Sequence, residues 1–187
     1  METQELIRSR RSVYPRQFNG QSIPKEALLQ AFEAANWAPT HKRTQPWRFI
    51  VYSGASMNGL IDQWVEMAKR NLQIKGEEWT EAAEKKYTLM RNCSHIIALA
   101  CHYTGMVPEL EETCAASAAF QNFWLSLHDQ GYVGYWSTGN GIFGQEMHRY
   151  LHLEENEKAL GYFLAGITED PIPPSIRKPV DELVRWE

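Results

Sequence analysis

The chain has 187 residues, 19 Lys and Arg against 23 Asp and Glu for a formal charge of -4, and 43% hydrophobic residues. That is one domain's worth of chain, far from the low-hydrophobicity, high-charge signature of disorder. The acidic total argues against nucleic acid or anionic membrane as a main partner, since both need a basic surplus on one face.

In chain order, Glu2 to Arg10 starts with a polar helical pattern, and Arg8, Arg10, Arg11 and Arg16 fall within nine positions of the N-terminal region. Pro24 opens a second helix, PKEALLQAFEAANWA, in which Leu28, Phe32 and Ala35 recur on one face before Pro39 stops it. WRFIVYSG is rich in β-formers and predicts a strand. Amphipathic segments from Ala55 to Ile74 and from Glu77 to Arg91 follow, parted by Gly76. The apolar run Ile96 to Tyr103 predicts a strand buried on both faces.

Glu109 to Gln130 reads as a helix, acidic at its start and then apolar with Ala116, Ala119, Phe120, Phe123 and Leu127 at helical spacing. Gly131 to Gly139, GYVGYWSTG, is a strand ending in a polar turn; EMHRYLHL is a short helix and ALGYFLAGI a last strand. The tail holds four of the nine prolines and is irregular. Interleaved helices and strands predict an α/β or α+β domain with helices over a mixed sheet.

Cys93, Cys101 and Cys114 are odd in number and form no CxxC pair, so small apolar roles in a reducing compartment are expected. METQELIRSRR has charges where a signal peptide needs an apolar stretch, and no apolar run nears the ~18 residues that span a bilayer, so a cytoplasmic protein is expected. Seven Trp, eight Tyr and seven Phe fit either a filled core or a flat ligand.

Four strings can carry chemistry. Arg10, Arg11 and Ser12 offer two guanidinium forks and a hydroxyl to a phosphate, or simply form a solvated helix end. Arg177 and Lys178 could converge on the same anion from the tail. His41 lies in the polar loop APTHKRTQPW, where a side chain can donate to a ligand or stay exposed. Trp136, Ser137, Thr138 and Gly139 form a turn whose glycine permits close backbone approach.

Other signals are weaker. His148 and His152 have metal-ligand spacing without a partner set, so no metal is expected. Cys101 and His102 are strand neighbours that point to opposite faces. GxxxxGK[ST] and GxSxG are both absent.

Taken together, RRSVYPRQF, APTHKRTQPWRFIVYSG, GYVGYWSTG and SIRKPVDELVRWE, in this order, resemble the signatures of the nitroreductase family of flavin enzymes, and of its small branch in particular. The resemblance implies an α+β fold, a central, mostly antiparallel sheet flanked by helices, and an intertwined homodimer. Residues 1-187 would form one domain, with the 168-187 tail lying along the partner. It implies FMN as cofactor and NAD(P)H as electron donor, with ping-pong hydride transfer through flavin N5 to a small nitroaromatic, quinone or related electron-poor acceptor. Arg10, Arg11, Ser12 and Arg177 would hold the phosphate and ribityl chain. Trp37 and His41 would reach the flavin from the partner subunit, with His41 the candidate acid. Trp136, Ser137 and Thr138 would line the ring, and a backbone N–H at Thr138 or Gly139 would face N5. Flavin storage, dehalogenation or flavin fragmentation are the alternatives the family offers. Tyr14 stands where many members carry Lys or Arg, and Trp37 where small-branch relatives can carry Arg.

Overall fold

The computed structural model describes every residue except Met1 and Pro173. Six helices alternate with four strands: α1 (Thr3–Ser9), α2 (Lys25–Asn36), β1 (Trp47–Ser53), α3 (Gly54–Lys75), α4 (Glu81–Met90), β2 (His95–His102), α5 (Glu109–Asp129), β3 (Val133–Ser137), α6 (Gln145–Tyr150) and β4 (Glu157–Gly166). The strands form one sheet in the order β1-β2-β4-β3, with every neighbouring pair antiparallel. The mixed sheet expected from the alternation of elements is thus corrected to an antiparallel one. Among the described residues a single parallel bridge joins Ser12 to Gly134 at its edge.

Local chemistry sets the element ends. Ser53 and Ser56 cap α3 reciprocally: Ser53 N–H donates to Ser56 Oγ (3.1 Å) and Ser56 Oγ donates to Ser53 O (2.9 Å). The same helix stops at Gly76, whose φ of 71° suits the left-handed cap that glycine adopts without cost. Thr80 Oγ1 accepts from Ala83 N–H (3.2 Å) and starts α4.

Because strand side chains alternate, β2 and β4 feed two cores. Ile97, Leu99, Phe163 and Ala165 pack under α2 and α5 with Phe120, Phe123 and Leu127, while Ile96, Ala98, Tyr162 and Leu164 pack under α3 and α4 with Leu60, Ile61 and Trp64. This double coverage explains why β2 reads as an unbroken apolar run. Cys93 and Cys101 are buried and burial pushes their thiols up, to about 12 and about 11, so neither is a nucleophile at neutral pH. Cys114 departs from the expected apolar role, for it is exposed on α5.

Two buried histidines couple this core to pH. His95 Nδ1 accepts from Ser94 Oγ (2.7 Å), whose oxygen in turn accepts Ile23 N–H (2.6 Å). Burial pushes His95 below the ordinary histidine value of 6.5; His128 is pushed down too, by burial first and then by Arg10 and Arg11. Both stay neutral in the fold while the unfolded chain takes up protons near pH 6.5, so stability falls as pH drops through that value until the lowered folded values are reached. A melting temperature measured from pH 7.5 to 5.5 is expected to fall, and His95→Gln to flatten the slope; an unchanged slope would remove His95 from this account.

Candidate functional site

The site grows from the end of α1. Arg10 leaves helical geometry at φ -58° and ψ 129°, and the chain then runs beside β3, Ser12 bridging Gly134 and Val13 N–H donating to Gly134 O (3.0 Å). The Arg10 guanidinium lies 4.2 Å from the centroid of Trp124, and its Nη1 is buried without a hydrogen-bond partner. Burial, then Arg177, then Arg11 hold its pKa below the arginine norm. Arg177, 167 positions further along the chain, has therefore come within electrostatic reach of Arg10, the convergence that sequence left open. A half-buried guanidinium with a buried, unsatisfied donor and other cations nearby is an anion-binding arrangement, since withdrawing a charge from water is costly unless it is paired.

Arg11 donates to Arg10 O (2.8 Å), and Ser12 is exposed. Beneath the pair, His128 Nε2 meets Ser9 Oγ at 2.9 Å. Ser9 Oγ also lies 3.2 Å from Leu6 O and donates to it, so the histidine donates to Ser9.

Along the same seam opens a cavity of about 600 Å³. Tyr14 and Tyr135, rings 4.6 Å apart, form part of its lining with Leu164; Ser137, Thr138 and Gly139 form one edge, and Lys85 and Lys86 of α4 another. Gly139 N–H donates to Ser137 Oγ (3.3 Å), so the turn is braced by its own hydroxyl. Alternation along β3 sends Tyr135 and Ser137 into this cavity. Trp136 goes the other way, edge-on to Phe120 at 4.5 Å, with its Nε1 donating to Leu160 O (3.3 Å). Within this chain the expectation that Trp136 lines the same surface as Ser137 is therefore corrected: its neighbours are core rings. Gly161 makes the room, for a Cβ there would lie 2.2 Å from Trp136 Nε1.

Trp37 and His41 lie elsewhere, lining neither this cavity nor the pocket beside Trp136. Trp37 is 80% exposed at the end of α2, donating to Glu33 Oε1 (3.1 Å). His41 Nδ1 donates to Glu111 Oε2 on the first turn of α5 (2.6 Å). The loop that follows is unusual: Lys42, Arg43 and Gln45 have φ of 50°, 58° and 44°. It is held there by Lys42 Nζ on Met106 O (3.0 Å) and by Gln45 N–H on Thr40 Oγ1 (3.1 Å). Left-handed non-glycine residues cost free energy and cluster where a fixed backbone is needed for function.

The histidine pair behaves differently from helical ligands. His148 sits on α6, with its Nε2 at 3.1 Å from Glu154 O and 3.2 Å from Glu157 O, while His152 lies beyond the helix at φ 53°. A grouping unforeseen from sequence, His102 with Glu157 (3.5 Å) and Glu154 (3.9 Å), has Arg48 Nε also 3.5 Å from Glu157. Glu157 is thus shared between His102 and the fixed positive charge of Arg48, as in an ion-pair network. Sequence reasoning also missed Lys85, Lys86, Tyr135 and Glu111. The alternation of β3 and the unburied face of α4 were the available signals for the first three; nothing local points from Glu111 to His41.

The sequence profile of the nitroreductase family matches residues 7–167. The chain belongs to the nitroreductase family. A protein of Bacillus subtilis strain 168 named YfhC, with a provisional NAD(P)H nitroreductase description, is 27% identical over 175 residues, 93% of this chain and 87% of that one. The nitroreductase-like protein of Bacillus cereus superposes with a TM-score of 0.84 at 20% identity, over 100% of this chain and 96% of its own. The FMN-dependent nitroreductase NfnB of Mycobacterium smegmatis, solved with NADPH, gives a TM-score of 0.73 at 20% identity, covering 98% and 97%. The nitroreductase fold thus extends over the described chain, and none of its helices is long and apolar enough to cross a membrane.

Proposed function

We propose that the protein is an FMN-dependent NAD(P)H oxidoreductase that reduces nitroaromatic, quinone or related electron-poor acceptors by a ping-pong cycle. The observation that carries this reading is the buried, unpartnered Nη1 of Arg10 with Arg177 close by, on the same seam as a cavity of about 600 Å³. That donor set fits a phosphate, and the cavity has the size and apolar walls of a cofactor site. When bound, FMN supplies the two-electron chemistry, taking hydride from NAD(P)H and passing it to the acceptor.

The chain's own residues bind and orient. Arg10 and Arg177 hold the phosphate, with Arg11 and Ser12 at its edge. Neutral His128 keeps Ser9, and with it the end of α1, in place. Tyr14 and Tyr135 give the flavin ring an apolar surface, and the Ser137–Gly139 turn presents polar backbone to its edge. In a homodimer, Trp37 and His41 reach the partner's site, His41 oriented through Nδ1 by Glu111 as the candidate acid. The exposed tail, with Ile176 at 93% and Trp186 at 91% exposure, then lies along the partner. The reading places the enzyme in the cytoplasm, where NAD(P)H is at hand.

The visible spectrum of the purified protein tests this directly. Flavin absorbance is expected, with FMN released on heating and NAD(P)H oxidation in the presence of a quinone giving parallel double-reciprocal lines. A colourless protein that takes up no added FMN, or a well-folded monomer in sedimentation, overturns the reading.

A further inference from the structure

The space around the flavin cavity does not end there. A second compartment of about 330 Å³ lies between α3 and α4 and shares Lys86 and Asn140 with the first. Its wall is aromatic: Trp64, Trp79 and Tyr87, the last two with ring centroids 5.6 Å apart and planes 20° from parallel. Trp79 is fixed by its Nε1, which donates to Glu84 Oε2 (2.8 Å), and Lys69 Nζ stands 5.3 Å from its ring centroid. At this volume the compartment is at the small end of ligand pockets, room enough for a one-ring compound and too little for a dinucleotide.

The charge lining the two spaces is of one sign. Arg16, Lys75, Lys85 and Lys86 contribute four cations, and among the described residues no Asp or Glu lines either one. Glu84, spent on the Trp79 indole, is outside both linings. Nor does any of the four cations make an ion pair or hydrogen bond among the described residues, whereas Arg48, Arg70, Arg91 and Lys158 are each matched with a carboxylate. In a chain with four more acids than bases, two adjoining cavities without a carboxylate select for negative charge.

We propose that the α3–α4 compartment is the acceptor subsite and that it takes a one-ring aromatic carboxylate, its ring against Trp79 and Tyr87 and its carboxylate answered by Lys75 and Lys86. This rests on the reading that the first cavity holds the flavin ring. Exposed lysines screen their charges, so each contributes up to about fivefold to acceptor selection.

The test uses FMN-loaded protein with 4-nitrobenzoate and its neutral analogue 4-nitrobenzamide as acceptors. At low salt kcat/KM is expected to favour the acid by about tenfold, the preference shrinking in 0.5 M NaCl. Lys75→Gln, whose charge lines only the second compartment, is expected to lower kcat/KM for the acid about three- to fivefold and leave the amide unmoved. Equal use of the two acceptors overturns the proposal. So does a Lys75→Gln effect confined to the KM of NADPH and absent with NADH, which would assign the charge to the nucleotide's phosphate. A protein that turns over neither acceptor fails the enzyme reading instead, and calorimetric titration of the holoprotein with 4-nitrobenzoate then decides. Binding that weakens in Lys75→Gln and in Trp79→Leu upholds the subsite, and no binding at millimolar acid removes it.

Discussion

Replacing Arg10 by Met is expected to abolish flavin retention while leaving the flavin-free chain at least as stable as the parent. The two halves of the expectation have one cause. Within the protein the guanidinium is partly withdrawn from water, its Nη1 has no protein acceptor, and Arg177 and Arg11 repel it. Among the described residues its compensation is the ring of Trp124 at 4.2 Å, worth about 0.5–1 kcal/mol, and a Met thioether keeps contact with that ring. Binding a phosphate turns the same group from a cost into a charge-assisted, bidentate donor. Losing it removes about 3 kcal/mol, roughly 150-fold in Kd. Arg10→Lys keeps the charge and loses the fork, so an intermediate loss of about tenfold is expected. Quenching of FMN fluorescence on titration gives the affinities, and thermal melts of the flavin-free proteins give the stabilities. Retention within threefold in Arg10→Met would show that the phosphate lies elsewhere. A clearly lowered melting temperature would show that Arg10 is satisfied by the protein itself.

The contrast between what sequence showed and what it hid follows the range of the physics involved. Elements whose signal is local periodicity, such as α2 with Leu28 and Ala35 inward or the doubly buried β2, are legible within one or two residues because neighbours in sequence are the cause. The basic groups at Arg10 and Arg177 are legible as residue types, but their meeting depends on the tail's path over the domain, which no local rule gives. Trp136 is the instructive error. In the string GYVGYWSTG it sits between Tyr135 and Ser137, yet the pleat sends it to the opposite face, and only knowledge of which face carries the cavity separates the three. The left-handed backbone at Lys42, Arg43 and Gln45 leaves no sequence mark at all, since none of the three is a glycine or asparagine; contacts with Met106 and Thr40 impose it.

Gly134→Ala should be among the most damaging small substitutions in the chain, and it should strike fold and site together. A Cβ at Gly134 would lie 2.1 Å from Cζ of Phe163 and 2.6 and 2.8 Å from its Cε atoms. Phe163 has no solvent exposure and cannot yield, because Phe120, Phe123 and Trp124 hold it at centroid distances of 5.4, 5.6 and 5.2 Å. Overpacking of this kind costs about 3 kcal/mol, a fall of roughly 6–12 °C in melting temperature for a chain this size. The displaced atoms lead straight to the anion site by two routes. Trp124 is the ring beneath Arg10, and Gly134 O is the acceptor for Val13 N–H, the bond that keeps Ser12 beside β3. FMN affinity measured well below the lowered melting temperature should therefore drop as well, which a purely structural defect far from the site would not cause. Trimming the obstacle with Phe163→Leu in the same chain should recover at least about 1 kcal/mol relative to the sum of the two single changes, since the residues touch. If Gly134→Ala melts within a degree of the parent, β3 does not lie over Phe163 as described. If stability falls but flavin affinity holds, the strip from Arg10 to Val13 is not anchored through this glycine.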